Sequence, residues 1–322
     1  MKSNIPILSY FRAVLCTLAI TASTTVAAEP AQDLKVVVSI APIHALVAGI
    51  MEGVGAPTLL ISGGASPHSY SLKPSEARAL NGARVVVRVS DQLESFLQRP
   101  VKNLADKAEI VTLTEIKGMI VYPSREGGLW ERPEQTGKDT YDNAHSYQGH
   151  DPHIWLDPRN AKMMVGALAK TLSKAYPEHG KAFTDNANRL TLKLDKLDQD
   201  LLEVTRPLRG KPYILFHDAT RYFDTRYELN AAGAITISPD RPPGARRLSE
   251  IRAHIKANGI SCVFTEPQFQ PKLVQTLISG TSAQAASLDP IGAGIAPGPD
   301  LYFKLMRKLA ASMAACLKNN SK

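Results

Sequence analysis

A chain of 322 residues with 38 Lys and Arg against 30 Asp and Glu carries a formal charge of +8, and 44% of it is hydrophobic. The basic excess is spread along the chain without interleaved aromatics, which excludes a nucleic-acid surface in favour of a solvated basic one. The length points to two lobes, each with enough apolar content for a core, and 3 cysteines without CxxC spacing exclude a cysteine-built metal knuckle.

Lys2 and Arg12 precede an apolar run through Val14, Leu15, Leu18, Ala19 and Ile20, and small residues then lead into Val26, Ala27 and Ala28. The run is shorter than the roughly 20 residues of a membrane span. It reads as a secretory signal, residues 1–28, cleaved near Ala28. A lipoprotein reading of Cys16 fits less well, because Val14 and Leu15 stand where a small residue is expected and the apolar run continues past the cysteine. Loss of Lys2 and Arg12 leaves 38−2 basic residues against 30 acidic ones, a charge of +6. No later segment reads as spanning a membrane.

Strand and helix signals then alternate. Residues 34–40 form a β-branched run followed by a helix from Pro42; 57–61 predicts a second strand, followed by a loop at 63–67. Ser75 caps a helix ending at Asn81 and Gly82, and 84–90 and 109–113 predict two more strands. Residues 160–176 are helical. After Pro177, residues 178–205 carry Leu190, Leu194, Leu197, Leu201 and Val204 at helical spacing until Pro207. That stripe reads as core packing rather than a coiled-coil seam, because it lasts too few heptads. Strands at 213–216, 234–237, 261–265 and 285–288, with helices from Leu248, Pro271 and Leu301, repeat the first scheme. Strands spaced by single helices imply an α/β fold with two parallel sheets joined by a long rigid helix. The division is a leader at 1–28, a first metal-binding lobe at 29–176, a linking helix at 177–207 and a second metal-binding lobe at 208–322.

Three histidines stand in expected strand-end loops: His68 in SPHSYSLKPS, His153 in DPHIWLDP and His217 in ILFHDATRYF. Loops at the carboxyl ends of parallel strands converge, and three neutral imidazoles leaving one open position are a familiar way to hold zinc. Asp289 in SLDPIG offers a carboxylate from one further strand end. Two candidates from each lobe place the metal in the interlobe cleft. Asp289 is a direct ligand, a cap on its own turn, or an acceptor for a ligand imidazole. Glu266 orients a histidine, closes the cleft or braces its loop; Asp157 and Asp218 cap or brace loops, and His44, His179 and His254 are surface or core residues. Three imidazoles of ordinary pKa would lose metal steeply in acid, approaching a thousandfold per pH unit. Cys262 and Cys316 read as a disulfide in an exported chain, with a pair of buried thiols as the alternative.

PHSYSLKPS, DPHIWLDP, FHDATRYFDTRYEL, PPGARRLSEIR, CVFTEPQFQP and LDPIG, in this order, resemble the periplasmic zinc-binding components of ABC importers, the ZnuA-type members of the metal-binding substrate-binding-protein class. The resemblance covers the whole exported chain. It implies two Rossmann-like lobes joined by a long helix, little domain closure, and Zn2+ captured as cargo at His68, His153, His217 and Asp289 for a zinc ABC transporter permease in the inner membrane. A periplasmic monomer with no nucleic-acid partner is expected. Two departures stand out. Residues 124–149 offer only His145, with His150 just after, where many zinc-specific relatives have a His/Asp-rich loop, and Pro67 stands where some place a carboxylate. Other readings are a manganese or iron importer component, in which a carboxylate typically replaces His217, a zinc-dependent hydrolase, for which no HExxH is present, and an adhesin.

Overall fold

The computed structural model describes Met1 and residues 34–125, 149–236, 243–269 and 272–318. The expected leader with Lys2, Arg12 and Cys16, and the segment with His145, lie outside these residues. Valine runs that crowd χ1 in a helix pack well on a pleated sheet, and they form the centre of the first one. β1 (Val36–Val38), β2 (Thr58–Leu59), β3 (Val85–Arg88) and β4 (Glu109–Thr112) make a parallel sheet in the order β2-β1-β3-β4. β5 (Pro212–His217), β6 (Asn230–Thr236), β7 (Cys262–Thr265) and β8 (Gln284–Ser287) repeat that order as β6-β5-β7-β8, also parallel. β1 and β3 are buried apart from Arg88, as expected of strands covered on both faces. In each sheet the connections leave the second strand of the order in opposite directions, so a crevice opens at the carboxyl ends of β1 and β3, and again at β5 and β7.

The helices among the described residues are α1 (Ala41–Ile50), α2 (Pro74–Asn81), α3 (Gln98–Leu104), α4 (Pro158–Ala175), α5 (Gly180–Thr205), α6 (Arg221–Tyr227), α7 (Ala245–Ala257), α8 (Lys272–Ile278) and α9 (Leu301–Lys318). Some helix starts differ from the sequence reading. Pro74, which has no N–H to orphan, takes the first position of α2, so Lys73 caps it instead of Ser75; the Lys73 amide donates to Glu76 Oε2 at 2.8 Å. The long helix starts two residues later than expected, after a 3-10 turn at Pro177–His179, and its 26 residues span about 39 Å. Pro271, the expected start of α8, lies outside the described residues. No helix among the described residues is long and apolar enough to cross a membrane.

The described residues from 34 to 318 form one compact unit. Instead of each lobe closing on its own core, one apolar cluster runs from Leu34 through Leu190, Leu194, Leu197 and Leu201 of α5 to Leu317 of α9. A smaller cluster under α7 and α8 holds Ile214, Ile251, Ile255 and Val274. The α5 helix is hydrogen-bonded to both lobes. Asn186 Nδ2 donates to the Ile50 and Glu52 carbonyls at 2.8 and 2.9 Å, while Asp198 accepts from Arg226 Nη2 at 2.6 Å and from the Tyr227 hydroxyl at 3.0 Å. The disulfide joins Cys262 of β7 to Cys316 of α9, with Cα atoms 6.1 Å apart.

Candidate metal centre

His217 is the last residue of β5 and Glu266 the first after β7, so the crevice of the second sheet brings them together. Glu266 Oε1 accepts from the His217 backbone N–H at 3.3 Å and from its Nδ1. A proton held on Nδ1 leaves Nε2 as the ring's lone pair. His153 reaches the same place differently from the expected strand end. It caps a 3-10 turn, Ile154–Leu156, and Asp151 Oδ1 accepts from its backbone N–H at 2.9 Å and its Nδ1 at 2.8 Å. The turn is fixed by Trp155, whose Nε1 donates to the Pro290 carbonyl at 2.8 Å and whose own carbonyl accepts from the Tyr302 hydroxyl at 2.8 Å. His68 comes from the loop after β2. Gly64 in that loop has φ +82°, and a Cβ there would stand 2.8 Å from Ala293 Cβ. Only glycine allows both the backbone and the approach of the two loops.

One ring nitrogen from each of His68, His153 and His217 lies within 4.8 Å of the others. His153 and His217 face each other through Nε2 at 3.4 Å. Two nitrogens bound to one tetrahedral zinc at 2.0–2.1 Å stand about 3.4 Å apart, so this pair is set at the required edge. The cavity before the rings holds about 20 Å³ between Pro67, Trp155, Phe269 and Pro290. That is room for an ion or a water. Electrostatics divide the rings. Burial pushes His153 down to about 3, with His217 adding to the effect, and burial with both neighbouring rings holds His68 well below the imidazole range. Burial also acts against a charged His217, but Glu266, with Asp218 and Asp151 adding to it, more than offsets this and the pKa is raised.

Asp289 is buried but stands outside this group among the described residues. Its Oδ1 accepts from Gly292 N at 2.9 Å and Gln268 Nε2 at 3.2 Å, and its Oδ2 from Gly294 N at 3.3 Å. His44 donates from Nε2 to the Pro57 carbonyl at 3.0 Å, His254 of α7 accepts at Nδ1 from Nδ2 of Asn258, which follows the helix, and His150 is exposed. Asp157 caps α4 through Arg159 N at 2.8 Å, and Asp218 sits 3.6 Å from Arg125, its pKa raised to about 6 by burial.

The chain matches, over residues 36–316, the family described as zinc-uptake complex component A, periplasmic. It belongs to that family. The high-affinity zinc uptake system protein ZnuA of Brucella abortus is 40% identical over 304 residues, covering 88% of this chain and 91% of that protein. ZnuA of Yersinia pestis is 32% identical over 289 residues, again covering 88% and 91%. A crystal structure of ZnuA shares the fold at a TM-score of 0.73 and 23% identity, covering 87% of this chain and 98% of that one. In this zinc-uptake component, sequence reasoning missed Asp151 and left Glu266 with several roles. The signal for Asp151 was its place two residues before His153, within reach of both the backbone and the ring.

Proposed function

We propose that this protein is the periplasmic binding component of a zinc ABC importer, which captures Zn2+ through His68, His153 and His217 between its lobes and delivers it to an inner-membrane permease. The observation that carries the reading is the convergence of three imidazole nitrogens within 4.8 Å, two of them oriented by buried carboxylates. Imidazoles suit zinc, while manganese favours carboxylate and water oxygens. A cavity of about 20 Å³ suits an ion as cargo and leaves no space for an organic substrate, which favours a carrier over a hydrolase. The leader reading and the Cys262–Cys316 disulfide support export to an oxidising compartment. In this account residues 29–176 and 208–322 are metal-binding lobes around a linking segment at 177–207, and the chain works as a monomer. Protein purified from its own compartment without added metal should carry close to one zinc per chain and hydrolyse no ester, phosphoester or peptide. Displacement of that zinc by an equal concentration of manganese would overturn the assignment.

A further inference from the structure

We propose that Gln268 orients the water in the fourth position of the zinc site, its Oε1 accepting a hydrogen bond from that water, with Asp289 acting through it as a positioning residue. The proposal rests on the three-histidine reading above. Gln268 follows Glu266 by two residues in the loop after β7 and lines the same small cavity as the three rings. Its Nε2 donates to Asp289 Oδ1 at 3.2 Å. An ionised carboxylate offers only acceptors, so the amide nitrogen must face Asp289 and Oε1 must face away from it. Asp289 is itself fixed by the backbone amides of Gly292 and Gly294. Gln268 Oε1 is buried and has no partner among the described residues. Buried acceptors are rarely left so, and three imidazoles leave tetrahedral zinc one position whose water needs an acceptor. The other polar groups lining the cavity have partners: Glu266 holds His217, Trp155 Nε1 donates to the Pro290 carbonyl, and Ser66 Oγ accepts from the His68 backbone N–H at 3.3 Å.

This arrangement keeps the Asp289 charge one residue away from the metal and gives the fourth position a neutral oxygen. A neutral acceptor withholds the charged hard donor that manganese favours.

The test uses the full exported chain with Gln268→Met, which keeps length and removes the oxygen, Asp289→Asn, and the double variant. Zinc stoichiometry and affinity by chelator competition, the visible spectrum of the Co2+ complex, and metal-free thermal unfolding are measured for each. Gln268→Met should keep one zinc per chain and the metal-free unfolding midpoint, lose about tenfold in zinc affinity, and shift the Co2+ bands. Asp289→Asn should cost a similar factor alone and little more in the Gln268→Met background. Gln268→Ala is the second variant, read in the same way. Unchanged affinity and spectrum in both Gln268 variants would overturn the proposal, as would an Asp289→Asn loss that persists in full without Gln268. A parent protein that binds no zinc, or binds it just as tightly with His153 removed, would instead defeat the three-histidine reading.

Discussion

Among the three rings, His217 has its proton affinity raised by Glu266, while burial holds His68 and His153 low. The sign of the pH dependence follows. Zinc needs the deprotonated ring, so binding is at full strength above the raised pKa of His217 and is lost as pH falls through it. Because His153 keeps its lone pair down to about pH 3, one proton competes instead of three. Zinc affinity should therefore fall about tenfold per pH unit once the pH is below the raised pKa of His217, with about one proton released per zinc bound there by calorimetry in buffers of different ionisation enthalpy. The thousandfold dependence of three ordinary imidazoles is not expected, because rings this close cannot all carry charge; a measured slope near three would contradict this. Glu266→Gln should flatten the pH profile by lowering the His217 pKa and should weaken zinc by about tenfold at neutral pH. The three histidines were legible because each sits in a distinctive motif. The role of Glu266 was not, since its partner depends on which strand ends meet, and that is settled by sheet order; that of Asp151 was signalled only by its place two residues before His153.

At the scale of elements, Cys262 begins β7 and Cys316 lies near the end of α9, so the disulfide ties the last helix to a strand whose other end leads to Glu266. A cross-link closing 54 residues is worth about 4 kcal/mol on the chain-entropy account. Replacing both cysteines by serine should lower the metal-free melting point by roughly 10 °C and leave zinc affinity unchanged, since neither sulfur borders the ligand loops. An unchanged melting point would contradict a structural role. The parallel strands and the long helices were legible from β-branched runs and leucine spacing. The seven-residue helices α3 and α6 were not: two turns are too short to display a period, Pro100 interrupts the first, and the second lies inside the histidine motif. The 3-10 turn that carries His153 depends on Trp155 and Tyr302, whose partners come from distant parts of the chain.

Across the whole molecule, the two sheets share one apolar cluster, and α5 is bonded to the first lobe through Asn186 and to the second through Asp198. Opening the lobes would break that cluster and strand buried polar groups, so zinc should enter without a hinge motion. Small-angle scattering of metal-free and zinc-loaded protein should give radii of gyration within about 1 Å of each other. A contraction of several ångströms would show a hinge that the shared core does not permit. Two lobes were legible from length and from the repeated strand–helix scheme. Their common core was not, because apolar content does not reveal which elements it packs between. The central claim is that one zinc is held by His68, His153 and His217 together. X-ray absorption at the zinc edge of the loaded protein tests it directly: three imidazoles at about 2.0–2.1 Å and one oxygen are predicted, falling to two imidazoles in His153→Ala. A first shell with fewer than three imidazoles in the parent protein, or one dominated by oxygen, would contradict it.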